Sequence, residues 1–159
     1  MVWRGSTDIK DRIFAALVYL IPLYSAMAFG GSLFNQFPVL RVITIPLIPI
    51  DFIYRSIPFG SLVVFFVLFL AVVRNERISH FIRFNTMQAI LVDIVLSLVS
   101  ILFFNILGPG VLPVLIEETL YNVIFTAVLA IAIYSIIQSA LGRYAEIPAI
   151  SQAVYTQVP

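Results

Sequence analysis

The sequence predicts an all-α membrane protein: a bundle of four transmembrane helices with both termini inside and a Pro-rich interfacial segment between the first two helices. Three observations predict it. Of 159 residues, 62% are hydrophobic and only 11% are charged, whereas a soluble domain carries about a quarter charged residues. So few polar groups cannot cover a surface in water, and the chain takes lipid as its solvent. Four apolar runs are long enough to cross a hydrocarbon core of about 30 Å, which takes roughly 17 to 25 helical residues. The basic residues gather at one set of helix ends. The length fits one membrane domain, residues 1–159.

The first run covers residues 13–29. Lys10 and Arg12 before it and Ala26-Met27-Ala28 at its end also fit a secretory signal with a small-residue cleavage site. Asp8 and Asp11 in the basic region and Pro22 in the run count against that reading, and cleavage would leave three spans. Residues 30–56 hold a shorter apolar stretch, broken by Pro46 and Pro49 and bracketed by Arg41 and Asp51. Proline has no N–H to donate and clashes with the preceding turn, so the segment is expected to lie in the interface or dip into it. Asp51 and Arg55 stand four apart, the spacing at which a helix pairs them.

The second span is expected over 57–73, with Pro58 in its first turn, where a missing N–H costs nothing. It is apolar all round from Leu62 to Val73 and is expected to meet lipid. The third covers 86–107 and the fourth 120–141. Within lipid each backbone polar group needs a partner in its own segment or in a closed barrel, so runs this long read as helices.

Four spans put the N-terminus, the 74–85 loop and the C-terminal tail on one side. That side holds Arg4, Lys10, Arg12, Arg74, Arg77, Arg83 and Arg143, against Arg41 and Arg55 on the other, whose second loop carries Glu117 and Glu118. The bias orients both ends inward.

Absences narrow the function. With no cysteine the chain has no disulfide, iron–sulfur cluster or thiol chemistry, and with His80 its single histidine it lacks a bis-histidine haem site. His80 and Asp93 lie nearly four turns apart on one helix and form no dyad. No His or carboxylate cluster has metal-ligand spacing. The expectation is a protein without enzymatic activity or cofactor, with no nucleic-acid partner, embedded in membrane lipid.

Asp93 is the one ionisable residue well inside a span, where a charge is costly and faces protein or water. Thr86, Ala89, Asp93, Ser97 and Ser100 share a helix face, and Asn122, Thr126, Ala130, Tyr134 and Gln138 form a second row. Asp93, Ser97, Asn122, Thr126 and Gln138 are therefore candidates for an intramembrane polar lining, the alternative being a small-residue packing seam. The densest polar constellation is Arg74, Glu76, Arg77, His80, Arg83, Phe84, Asn85 and Gln88, a candidate recognition or assembly site. Arg77 and Arg83 are expected to snorkel to lipid phosphate, with Phe81 and Phe84 below the headgroups.

The run RNERISHFIRFNTMQAILVDI, from Arg74 to Ile94, closely resembles the signature of the twenty-kilodalton subunit family of the TIC translocon at the chloroplast inner envelope. Trp3-Arg4-Gly5-Ser6-Thr7, Asp11-Arg12-Ile13-Phe14-Ala15 and Ser56-Ile57-Pro58-Phe59-Gly60 look like its cyanobacterial and plastid-encoded members. The resemblance covers nearly the whole chain and is weakest after Arg143. It implies four transmembrane helices and a part in moving preproteins across a membrane, as a piece of a protein-conducting channel formed with other translocon subunits or by self-association. The short stretch before the first helix fits a bacterial or plastid-encoded member, in a cyanobacterial plasma or thylakoid membrane or a plastid inner envelope membrane. Two other readings stand beside it: a small-solute or ion carrier using Asp93, and a non-transporting assembly factor for membrane complexes.

Overall fold

The computed structural model describes residues 7–158, and among them every regular element is helical. The opening motif 3–6 and the basic residue Arg4 lie outside the described residues. Helices α1 (Ile9–Leu17) and α2 (Leu20–Ala26), with a 3-10 turn at Met27–Phe29, form one apolar rod of 21 residues. Asp8 starts it, its carboxylate accepting from the Ile9 N–H at 2.7 Å. The rod is interrupted one turn before Pro22, whose ring crowds the Val18 carbonyl and whose missing N–H leaves it without its helical donor. The chain tightens there, with Tyr19 N–H bonding Ala16 and Ile21 N–H bonding Val18.

Next come α3 (Gly31–Gln36), a 3-10 stretch at Pro38–Leu47 and α4 (Ile48–Ser56). In 3-10 geometry residues three apart eclipse. Val39, Val42, Ile45 and Ile48 accordingly form one ridge, each at least 60% exposed. Leu47 faces the other way, buried against Leu23 and Ala132. The segment therefore leans on the bundle through Leu47, against the middle of the first rod and α7.

Pro58 decides where the next helix begins. It disfavours helical geometry for the preceding residue, and Ile57 is extended at φ −117° and ψ 128°. Phe59 then turns left-handed at φ 55°. Helix α5 starts only at Gly60, running to Val67 and on, π-helically, through Leu68–Val73. Gly60 is required there: a Cβ would stand 2.6 Å from the Tyr54 carbonyl oxygen. The axis bends by 107° between Pro38–Ser56 and Gly60–Val73.

Helix α6 (His80–Ser100) continues π-helically over Ile101–Leu107, giving a span of 28 residues that stops at Gly108, φ 74°. Helix α7 (Val114–Ala140) has 27 residues, and after a turn at Gly142 the tail ends in α8 (Ile150–Gln157).

Among the described residues three helices, Ile9–Phe29, His80–Leu107 and Val114–Ala140, are long and apolar enough to cross a membrane, or four crossings if the bent pair counts as one span. The expected 57–73 helix is thus corrected. Pro58 lies in the turn, and the fourteen helical residues left rise about 21 Å, short of the ~30 Å core. The 13–29, 86–107 and 120–141 helices all begin earlier than expected, because hydropathy marks the part in lipid while hydrogen bonding and caps set the helix ends. Glu117 and Glu118 consequently sit on the first turns of α7, where the helix dipole favours acidic groups.

Ala26, Phe29, Val92, Leu96, Phe125 and Val128 join the three long helices. A second cluster, of Val73, Phe84, Met87, Ile90, Val154 and Val158, ties α5, α6 and the tail together. Leu62, Phe66, Val67 and Leu70 on α5 face outward.

Candidate functional site

Ser79 opens α6, its hydroxyl accepting from the Ile82 N–H, so the signature segment divides into an exposed turn, 74–79, and a buried first half of the helix. Arg74, Glu76 and Arg77 are exposed on the turn. Phe81, Phe84, Asn85 and Gln88 are buried. Phe81, Phe84 and Gln88 meet the chain's own tail, and Asn85 meets Tyr19 and Ser139.

Gln88 donates to the Ala145 carbonyl and, at 2.7 Å, to the Tyr19 hydroxyl, and accepts from Ser151 at 2.7 Å. Tyr19 donates onward to Asn85 Oδ1 at 2.8 Å, which also receives the Ser139 hydroxyl at 3.2 Å. Ser151 in turn accepts from the Ile147 N–H at 2.6 Å. The α1–α2 junction, α6, the end of α7 and the tail thereby meet in one buried polar network, the arrangement that defines a unique packing when its members are satisfied.

His80 extends the seal. Its Nε2 lies 3.1 Å from the Val158 carbonyl, which only accepts, so Nε2 carries a proton, and Nδ1 pairs with the Tyr144 hydroxyl at 2.9 Å. Phe84 packs on Tyr144 and Tyr155 at ring separations of 5.0 and 4.9 Å. The Arg83 Nε donates to the Val73 carbonyl at 2.9 Å, holding the C-terminal end of the α5 helix against α6. In place of the expected positions below lipid headgroups, Phe81 and Phe84 are covered by protein, and Arg83 is engaged within the chain.

The two polar rows do not face one another. On α6, Asp93 accepts from the Ser25 hydroxyl, while Ser97 is exposed and donates to the Asp93 carbonyl. On α7, Thr126, Ala130 and Tyr134 are exposed, whereas Phe125, Val128, Ala132, Ser135 and Ser139 turn inward. The Asn122 and Gln138 side-chain oxygens are buried without a hydrogen-bond partner. A row spaced by four drifts around a helix of 3.6 residues per turn, so a shared stripe does not fix which neighbour it meets.

A second polar constellation lies between α2 and the 38–56 segment. A cavity of about 500 Å³ is lined by Tyr24, Ser25, Thr44, Asp51 and Arg55 with Met27, Ala28, Phe34, Leu47 and Ile48. Arg55 Nε pairs with Asp51 at 2.8 Å, as their spacing predicts, and Tyr24 donates to the same carboxylate oxygen at 2.7 Å. Ser25 joins this cavity to Asp93. Sequence reasoning found Asp51, Arg55 and Asp93 but missed Tyr24, Ser25 and Thr44. It also missed Tyr19, Ser139 and Ser151. The available signal was chemical: tyrosine hydroxyls inside an apolar run need partners, and Ile150, Val154 and Val158 repeat every four residues along the tail.

A family model described as chloroplast import apparatus Tic20-like matches residues 8–154, from the cap of α1 into α8. The chain belongs to the Tic20 family. A Tic20 family protein of Synechocystis is 52% identical over 158 residues, 99% of either chain. Protein TIC 20-II, chloroplastic, of Arabidopsis thaliana is 33% identical over 155 residues, 96% of this chain and 74% of that one. The Tic20 family protein Ycf60 of Gracilaria tenuistipitata var. liui is 35% identical over 161 residues, covering 94% and 76%. With at least three helices apolar enough to cross a bilayer, this Tic20 chain is a multi-pass membrane protein. The family match extends to residue 154 and so includes Ala145, Ile147 and Ser151, the tail residues that engage the signature.

Proposed function

We propose that this Tic20 family chain is a membrane subunit of a protein-translocation assembly and not an enzyme. It crosses the bilayer four times with both ends on the inner side. The match to the import-apparatus family over residues 8–154 carries the reading. Packing supports the topology. Gly142 at the start of the tail lies against Thr7 and Arg12, and His80 meets Val158, so both termini and the 74–79 turn gather at one end. That end holds Lys10, Arg12, Arg74, Arg77, Arg83 and Arg143, with Arg41 and Arg55 on other segments, in keeping with the inner-side bias. The fourth crossing is the broken one, with 38–56 leading in and Gly60–Val73 completing it.

One copy is too apolar to conduct an extended polypeptide, because Asp93 is the only ionisable side chain well inside the long helices. The conduit therefore needs further copies or other translocon subunits, with preprotein as the cargo. The contact surface is the 74–79 turn with Arg74, Glu76 and Arg77, since the tail occupies the buried half of the signature. Purification from native membranes in mild detergent tests this. Translocation subunits or preprotein in the eluate support the reading. A chain that elutes alone, or with an unrelated membrane complex, contradicts it.

A further inference from the structure

The cavity beside α2 has a hydrogen-bonding character that its lining sets. Three hydroxyls border it, and each already donates its proton within the chain: Tyr24 to Asp51 at 2.7 Å, Ser25 to Asp93, and Thr44 to the Arg41 carbonyl at 2.7 Å. A hydroxyl whose proton is used offers only lone pairs, so toward the cavity these groups accept. The second Asp51 oxygen accepts as well. Arg55 donates through Nε to Asp51 at 2.8 Å, and the pair carries no net charge. Its terminal nitrogens keep N–H donors free, so a bare anion would meet them, but with the Asp51 carboxylate and three hydroxyl lone pairs beside them. A bare cation would find the Arg55 guanidinium opposing it.

The walls determine how an occupant arrives. Ile48 lines the cavity and also belongs to the exposed ridge with Val42 and Ile45. Polar end and apolar ridge are therefore continuous, the shape of an amphiphile. At about 500 Å³ the cavity lies within the roughly 300–1,000 Å³ typical of small-molecule sites.

We propose that this cavity is a lipid site, taking a head group that has no net charge and donates hydrogen bonds through hydroxyl or ammonium protons, with the acyl chains laid along the Val42–Ile45–Ile48 ridge. The inference is independent of the translocation reading. It is tested by offering the purified full chain, in mild detergent, four lipids with matched acyl chains. These are a monohexosyl diacylglycerol, phosphatidylethanolamine, phosphatidylcholine and phosphatidylglycerol, and native mass spectrometry counts the lipid retained.

Retention of the hexosyl lipid, the ethanolamine lipid or both, about tenfold or more above phosphatidylcholine and phosphatidylglycerol, is the expected result; which of the two is held identifies the donor. Ala28→Trp fills the cavity and should abolish the preference, while Leu70→Trp on the outward face of α5 should leave it unchanged. Thr44→Val removes one acceptor from an exposed position and should weaken it, which covers the case of an Ala28→Trp protein that fails to fold. Equal retention of all four lipids overturns the proposal. So does a preference for the anionic lipid, or one that survives cavity substitution in a folded variant.

Discussion

The seal between tail and signature has its centre at Gln88, and Gln88→Leu tests it with little change of volume. The substitution removes three hydrogen bonds, to Tyr19, the Ala145 carbonyl and Ser151. A buried hydrogen bond contributes about 1 kcal/mol net in soluble proteins and about 0.6 kcal/mol between membrane helices. The loss is therefore about 2 kcal/mol or somewhat more, because the Ala145 carbonyl is left buried without its partner. A shift of about 2 kcal/mol raises the fraction of molecules with a detached tail by about 30-fold.

Chymotrypsin reads that fraction. The bond after Tyr144 is shielded because Ala145 is fully buried, and when opening is fast relative to cutting, cleavage follows the open population. Gln88→Leu should accelerate cleavage after Tyr144 by about 30-fold. Ser97→Ala, which alters one exposed hydrogen bond to the Asp93 carbonyl, should leave the rate unchanged. An unaltered rate in a folded Gln88→Leu protein would refute the view that the network holds the tail.

Two further substitutions probe other parts of the account. Gly60→Ala places a methyl group 2.6 Å from the Tyr54 carbonyl and should lower stability by about 2 kcal/mol or more, read as an earlier midpoint in a denaturant titration of the detergent-solubilised chain. A wild-type midpoint would mean that the 56–60 turn is not so tight. Asp93→Asn keeps an oxygen to accept from Ser25, so the protein should fold, assemble and support transport as before. Loss of transport with assembly intact would favour the carrier reading in which Asp93 is the coupling group.

Legibility followed the range of the interaction. The three long helices were readable because apolar length is a local property of the chain, and so was the Asp51–Arg55 pair, four residues apart on one helix. Helix α5 was misread over three residues because Pro58 fits both a first helical turn and a pre-helical turn; Tyr54, packed against Gly60, decides between them. The signature stood out as dense in specific side chains, but its partner, the tail, is some sixty residues away in sequence. Nothing local connects Gln88 to Ser151 or His80 to Val158. The cavity was hidden for the same reason, since Tyr24 and Ser25 meet Thr44 and Asp51 only after the 38–56 segment folds back on α2. Spacing put Asp93 and Thr126 each in a row along a helix, yet a row has a neighbour only once the bundle is assembled.

The most direct test of the central claim places a photo-crosslinking residue at Arg77, on the exposed turn, in cells whose only copy is this variant. Illumination during active protein transport should yield adducts with preprotein or with subunits of the translocation machinery, and these should fade when protein synthesis is stopped. Adducts confined to an unrelated membrane complex, or none at all from a functional variant, would contradict it.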